Sequence, residues 1–474
     1  MANILFVVLN DLYVRNYLRT GVLDELRSHH SVSICCDSAL ELSEEIAAEP
    51  GYVGAFSLDE KTTKRRLLFF QILMWRHRKK SRTFYYRWLR LTKWSMVKTR
   101  RGPIAFLLSF LRWVANAIVN PEPFIVALLG SGLLFPLSAA IFGARKSVTA
   151  SFKELADAQQ YDLIVFPSAA FEAAALDIIR WGRESDIPTV TLIDNWDNLT
   201  SKTVYWEKPC HIGVWGEQAK QQAIQIHGFS AQQIHLIGTP RFDSYFAARL
   251  KTRSESPYPF PYLLFVGSAM PFDEIEALRE LERVLESEES TPDGLRVVYR
   301  PHPWQQKRSV PAIFRESDFS RTILDRQIAD AYADGVEPEK TNKSFQPELS
   351  YYPALLGNAA MVVGPLTTML FEAALCLKPV IALSYPDGHH FTTNRRYLAH
   401  FEGLEYLPGF FFADRQSQLE KLVSDALSTS AINAQESDAV SSFYLYRDER
   451  SYPHRLLGLV NSFLPGATWN QSSV

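Results

Sequence analysis

The chain has four cysteines in 474 residues (Cys35, Cys36, Cys210 and Cys376), with no CxxC spacing and no paired His/Cys ligand pattern. This excludes a disulfide-stapled scaffold and offers no zinc site, so all four read as reduced core residues of a cytoplasmic protein. Cys35 and Cys36 are adjacent in an apparent strand, where their side chains point to opposite faces. The opening MANILFVVLND lacks a basic n-region and a cleavage site, and reads as a first buried strand, not a signal peptide. An internal repeat of fixed period is also lacking. Acidic residues are missing from one long stretch: between Lys61 and Pro121 there are 16 Lys/Arg and no Asp or Glu. That leaves 34 of the 50 Lys/Arg against all 52 Asp/Glu, so the net charge of −2 hides a basic block inside an acidic protein. Such a block points to a polyanionic surface as partner.

The length exceeds what one core usually supports, and 47% hydrophobic with 22% charged residues is ordinary for a globular chain, so two domains are expected. In Leu67–Arg101 cations interleave with aromatics, among them Trp75, Tyr85, Trp88 and Trp94. Ile104–Phe142 is mostly apolar, but Arg112, Asn120-Pro121-Glu122-Pro123, Gly130, Gly132 and Pro136 interrupt it. Neither half is an unbroken run of about 20 apolar residues, the length a transmembrane helix needs. Arg100, Arg101, Arg145 and Lys146 flank both ends, so a hairpin dipping into a bilayer would keep both flanks cytoplasmic. Three readings compete for residues 61–146. Interfacial contact with an anionic membrane explains cations, aromatics and apolar residues together and is preferred. A helical insertion packed on the first domain or at an oligomer interface is the plainer alternative. Nucleic acid is disfavoured as a partner because no recognition motif accompanies the charge.

Apolar runs alternate with helical periodicity. Strands are expected at Ile4–Leu9, Ser31–Cys36, Tyr161–Phe166, Thr189–Ile193, Ile212–Trp215 and Gln233–Ile237, with helices at Tyr13–Leu26, Ala169–Trp181 and Glu217–His227. The Pro-rich Lys251–Pro261 reads as a linker. A second series follows, with strands Tyr262–Val266, Leu295–Tyr299, Ala360–Val363 and Val380–Leu383, and helices at Asp273–Leu285, near Pro353–Leu356, from Thr367 and at Leu419–Leu427. Asp325–Glu348 reads as a loop-rich excursion, and a last helix, Val440–Phe463, is expected to pack back on the first domain. The predicted fold class is α/β, doubly wound. The predicted organisation is an acceptor domain at 1–250 carrying the 61–146 insertion, a nucleotide-donor domain at 257–439, and a returning helix at 440–465.

Two segments suggest chemistry. VVYRPHP, at Val297–Pro303, ends a strand in Arg300, Pro301, His302 and Pro303. GPLTTMLFEAALCLKPVIAL, at Gly364–Leu383, opens a helix with Gly364, Pro365, Thr367 and Thr368. A guanidinium and an imidazole at one strand end, with hydroxyls and amides at a helix N-terminus, suit a nucleotide phosphate. Glu372, one turn in and off the apolar face, is placed to accept from ribose hydroxyls; its plainer reading is a solvated charge. Likewise Pro301 and Pro303 can simply end a strand, with His302 capping the loop. Gly267-Ser268, after the strand Tyr262–Val266, permits close approach to a donor. The loop Ser384–His390 offers Asp387, His389 and His390 beside the base or transferred group, though as a metal site its geometry is poor.

The pair RPHP and GPLTTMLFEA…KPVIAL resembles the C-terminal domain of GT-B glycosyltransferases, and within them the CDP-glycerol glycerophosphotransferase and capsule-polysaccharide transferase group. The resemblance implies two Rossmann-like domains facing a cleft, with His302, Thr367 and Thr368 on the donor phosphates. It implies no cofactor and no metal. Gly364-Pro365-Leu366 stands where the wall-polymer enzymes usually carry Asp-Tyr, so CDP-alditol, CMP-sugar and UDP-sugar donors all stay open. Gly238-Thr239-Pro240-Arg241-Phe242-Asp243 is similar to a Gly-x-Pro-x-x-Asp segment of related proteins and is expected to shape the hinge. Two loops after N-domain strands are candidates for the acceptor. One carries Asp11, Arg15 and Asn16; the other carries Asp194, Asn195, Trp196, Asp197 and Asn198, whose plainer reading is an Asx-rich turn over a packed Trp196. Asp11 or Asp197 is the expected general base, with His302 the third catalytic candidate. The function expected is transfer of a sugar or alditol phosphate from a nucleotide-activated donor to a glycan or lipid-linked acceptor, at the cytoplasmic face of a membrane. A UDP-sugar 2-epimerase is disfavoured because the Gly-Gly and Glu-Glu helix start is absent, and a non-catalytic membrane-bound scaffold is the remaining alternative.

Overall fold

The computed structural model describes residues 1–92, 102–143, 148–169, 171–250, 256–270, 272–288, 291–302, 314–328, 348–387, 395–429 and 431–464. Pro303, His389, His390, Trp94, the flanking cations Arg100, Arg101, Arg145 and Lys146, the linker core at 251–255 and most of the 325–348 excursion lie outside them. The chain divides into two compact units, Met1–Arg241 with Phe443–Val474, and Phe242–Ser442.

The first unit holds a seven-stranded parallel sheet: β1 (Asn3–Val8), β2 (Ser31–Asp37), β3 (Tyr52–Phe56), β4 (Leu163–Ser168), β5 (Thr189–Ile193), β6 (His211–Val214) and β7 (Ile234–Leu236), ordered 3-2-1-4-5-6-7. The second holds six: β8 (Tyr262–Val266), β9 (Arg296–Arg300), β10 (Thr322–Leu324), β11 (Val362–Pro365), β12 (Val380–Leu383) and β13 (Phe410–Ala413), ordered 10-9-8-11-12-13. Every pairing is parallel. Both orders run outward from the first strand and then reverse, leaving a switch point between β1 and β4 and another between β8 and β11. Central strands such as β4 are buried along their whole length, which is why they read as continuous apolar runs.

Several boundaries differ from expectation, each for a local reason. The helix expected at 13–26 is a short turn, Asp11–Tyr13, a π-helical turn, Val14–Leu18, and a separate helix, Val22–His29, entered through Gly21 at φ +71°. β3, β10 and β13 are edge strands that the pattern does not predict. The helix Asp243–Leu250 belongs to the second unit rather than to a 1–250 domain. Phe242 packs on Phe371, the Tyr245 hydroxyl donates to Glu372 (2.6 Å), and Arg249 pairs with Asp438 (2.6 Å). The last stretch is two helices, not one: Ala434–Ser441 stays in the second unit and Tyr452–Asn461 alone returns to the first. Pro453 fits only in a first turn, so a helix cannot run through it. Tyr452, Leu456 and Val460 are buried in the first unit's core. Cys35, Cys36 and Cys376 are buried as expected, but Cys210 is exposed.

The insertion is a helical layer comprising Glu60–Arg76, Arg82–Thr92, Pro103–Val119, Glu122–Leu129 and Phe135–Gly143. Phe69, Phe70, Ile72, Phe84 and Val126 form a small core with Val204 and Ile226. Arg66 fixes the layer to the sheet unit through a bidentate, buried pair with Asp177, both contacts at 2.8 Å. Among the described residues, the aromatics of the basic-aromatic stretch and some of its cations are thus engaged in packing. Arg78 lies 3.9 Å over the Trp75 ring, Arg87 donates to the Ser201 carbonyl, and Lys80 donates to that of Ile226.

Candidate functional site

In the second unit the loops leaving β8, β9 and β11 converge. A Cβ on Gly267 would lie 2.7 Å from the His302 amide nitrogen and 2.9 Å from the Pro301 Cα, so a side chain there would force the β8 and β9 loops apart. The next residue reaches the other way: the Ser268 hydroxyl donates to the Leu366 carbonyl at 3.0 Å, beside Thr367. One two-residue turn thus bridges the His302 loop and the start of the helix Thr368–Leu375. Thr367 is its extended N-cap residue, at φ −145° and ψ 157°. His302, Thr367 and Thr368 are all partly exposed. Amides of a helix's first turn have no partner within the helix and attract anions.

The turn rests on a carboxylate that sequence reasoning missed. Glu274 is 1% exposed; its Oε1 accepts from the Ser268 amide (2.9 Å) and its Oε2 from the Tyr299 hydroxyl (2.7 Å). In the sequence Asp273-Glu274 is only an acidic helix start, and nothing marks Glu274 as turned beneath a loop. Asp387 is also near this helix start, its Oδ2 accepting from the Asp273 amide at 2.8 Å.

Other donor-site expectations are corrected. Arg300 is 3% exposed; its guanidinium donates to the Pro301 carbonyl (2.7 Å) and the Tyr352 hydroxyl, and lies over the Tyr352 ring. It shapes the turn carrying His302 instead of presenting a cation to solvent. Glu372 is fully buried and accepts from Tyr245, so it is neither a solvated charge nor placed for a ribose. Its position one turn into the helix faces the Asp243–Leu250 helix of the same unit, a contact invisible to periodicity. Gly364 and Pro365 are buried in β11, where a Gly364 Cβ would meet the Val266 carbonyl oxygen at 2.1 Å. Gly364 therefore permits close strand approach within the sheet.

At the corresponding end of the first unit the groups are acidic. Asn10 caps the turn after β1 by accepting from the Leu12 amide, and the π-helical turn directs Asn16 inward, where its amide donates to Asp194 at 2.9 Å. Burial raises the Asp194 carboxyl above its usual range, opposed by the Asn16 bond and by Arg241 and Arg15. Glu172, also missed from sequence, gathers the Tyr13 hydroxyl (2.5 Å) and the Ser168 hydroxyl (2.6 Å) after β4. Burial, followed by the Glu172 charge, pushes the Tyr13 hydroxyl well above its ordinary value.

The expected acceptor residues divide between support and surface. Asp11 is 7% exposed and accepts from the Leu42 amide at 2.9 Å, which ties down a neighbouring loop. Asn16 and Asn198 are buried, and Trp196 is packed against Tyr444, so the plainer reading holds for that tryptophan. Asn195 closes the turn by accepting from the Trp196 amide. Asp197 stays partly exposed, holding Ser201 (2.7 Å) with Lys202 at 3.4 Å; Arg15 is partly exposed beside Asn16. In the second unit, a groove beside Arg296, Phe319 and Arg321 lies at the amino ends of β9 and β10, the opposite end of β9 from His302.

No family model matches the chain, and no curated protein matches it either. Solved structures do. A Listeria monocytogenes protein provisionally assigned as a UDP-N-acetylglucosamine 2-epimerase is similar with a TM-score of 0.50 at 11% identity, over 97% of this chain and 96% of that one. Acinetobacter baumannii MurG is similar at 0.42 and 12% identity, covering 98% and 100% of the two chains. An α,α-trehalose-phosphate synthase (UDP-forming) from Burkholderia vietnamiensis is similar at 0.45 and 12%, covering 99% of each. At such identity the likeness speaks for architecture alone: two doubly wound parallel units, the GT-B fold.

Proposed function

We propose that this chain is a nucleotide-sugar-dependent transferase, moving a sugar or alditol phosphate onto a glycan or lipid-linked acceptor at the inner face of a membrane. The observation that carries the reading is the Gly267-Ser268 turn, which holds the His302 loop and the Thr367–Thr368 helix start at one switch point. Open α/β sheets bind ligands at the carboxyl ends of strands where the order reverses. There the helix amides and the two threonine hydroxyls would bind a diphosphate, and His302 would donate to a phosphate oxygen as charge develops on the leaving nucleotide. Arg300 acts at one remove, by shaping the turn. The carboxylate-rich end of the first unit suits acceptor hydroxyls, and of Asp11 and Asp197 the second is the more accessible candidate base. CDP-alditol is the donor to which the motif resemblance points, with CMP- and UDP-sugars beside it.

The test is thermal stabilisation by CMP, CDP, UDP and GDP, followed by turnover assays with and without acceptor. A nucleotide at 100 times its dissociation constant stabilises by about 2.7 kcal/mol. His302→Ala and Thr367→Val/Thr368→Val should abolish that gain while leaving the unliganded melting temperature unchanged. Product formed without acceptor would replace the transferase with an epimerase. Absence of stabilisation by every nucleotide would leave a scaffold and sink the proposal.

A further inference from the structure

Among the described residues, twelve of the eighteen large hydrophobic side chains left exposed come from Ile104–Ile141. The 17-residue helix Pro103–Val119 has no buried residue, and Val119 is 85% and Leu133 87% exposed. A helix apolar around its circumference needs an apolar surrounding. This surface rides on a packed layer: Trp113 packs on Phe124 (5.1 Å), Phe135 and Phe142 stack on Phe69, and Arg66–Asp177 ties the layer to the sheet unit. Cations border it. Arg76 lies 4.9 Å over the Phe135 ring beside Leu133, and Lys79 and Arg112 are exposed.

We infer that Pro103–Gly143 is an in-plane docking surface for an anionic bilayer, with its helices sunk into the headgroup boundary and not crossing it. Seventeen residues rise about 25 Å, short of the roughly 30 Å hydrocarbon core. No single described helix is long and apolar enough to cross a membrane; Pro103–Val119 and Glu122–Leu129 reach that length and composition only together, across an 83° bend. Arg112 sits mid-helix, tolerable in the interface, where its long stem lets the charge reach water. Charge selects lipid over a second copy of the chain. Around the apolar helices the exposed cations Arg76, Lys79 and Arg112 outnumber the exposed Glu122, so a self-association would bring like charge to like, whereas an anionic leaflet complements it. The contact surface is the apolar helices, while much of the basic-aromatic stretch at 67–92 is spent holding them.

The experiment is co-sedimentation of the full chain with phosphatidylcholine vesicles, with and without phosphatidylserine, at low and high salt. Binding should require phosphatidylserine and weaken with salt. Leu107→Glu/Leu111→Glu should lower partitioning by roughly tenfold or more, with nucleotide-induced stabilisation intact, so failure here leaves the transferase reading standing. Should that double variant misfold, Leu133→Glu, at an exposed turn, reads the same loss. Undiminished vesicle binding by a folded variant would overturn the inference. So would a concentration-dependent dimer in lipid-free buffer that Leu107→Glu/Leu111→Glu dissolves while the wild type ignores vesicles.

Discussion

The two sheets share one winding order and differ in what gathers at their carboxyl ends. After β1, β4 and β5 the chain collects carboxylates, Asp11, Glu172 and Asp194, satisfied by amides and hydroxyls. After β8, β9 and β11 it collects an imidazole, two threonine hydroxyls and a helix N-terminus, with the Glu274 carboxylate buried beneath the turn. The second arrangement attracts a phosphate, while the first, its acidic charge partly offset by Arg15 and Arg241, suits neutral hydroxyls. The same topology therefore carries two chemically different groups of loop residues, and the difference lies in side chains that strand order does not specify.

The comparison breaks most readily at Glu274. Glu274→Ala leaves the Ser268 amide and the Tyr299 hydroxyl without their partner, and should destabilise the second unit by about 3 kcal/mol and erase nucleotide stabilisation. Denaturant melts with and without nucleotide measure both effects, and an unchanged nucleotide response would show that the turn is not the donor floor. Glu172→Gln is the matching change in the first unit. It should cost about 1–2 kcal/mol yet leave nucleotide stabilisation at its wild-type value; a lost response would place the nucleotide at the acidic end. The smallest effect is expected at Asp194. Because burial raises its carboxyl, the folded state holds that proton more tightly than the unfolded chain does. Its contribution to stability falls as pH rises from the ordinary carboxylate range through the raised value. Asp194→Asn, which keeps an acceptor for Asn16, should flatten that part of the pH–stability curve and melt slightly higher at neutral pH. A variant curve parallel to the wild type would show that the carboxyl is not perturbed.

Much of the architecture was legible because period and punctuation report local preference. β1, β2, β5, β8 and β12 are apolar runs sized for buried parallel strands, and Gly228, at φ +67°, ends the helix Glu217–His227 where expected. Pro453 was a legible stop as well, overlooked within a longer helical pattern. Gly267-Ser268 and Thr367–Thr368 were legible as candidates because glycine after a strand and hydroxyls at a helix start have few other uses. Their meeting was not, since it depends on which strands neighbour which.

The chain alone determined its alternating strands and helices, the charge asymmetry of the insertion, and the chemistry available at each loop, because these follow from residue type and spacing. Tertiary structure decided which of those groups stay accessible. Arg300, Glu372 and Trp196 carry side chains suited to ligands, yet each is buried against a partner distant in sequence: Tyr352, Tyr245 and Tyr444. Strand order likewise placed His302 and Thr367 around one turn. Burial and adjacency arise from packing between segments dozens to hundreds of residues apart, and no local pattern encodes them.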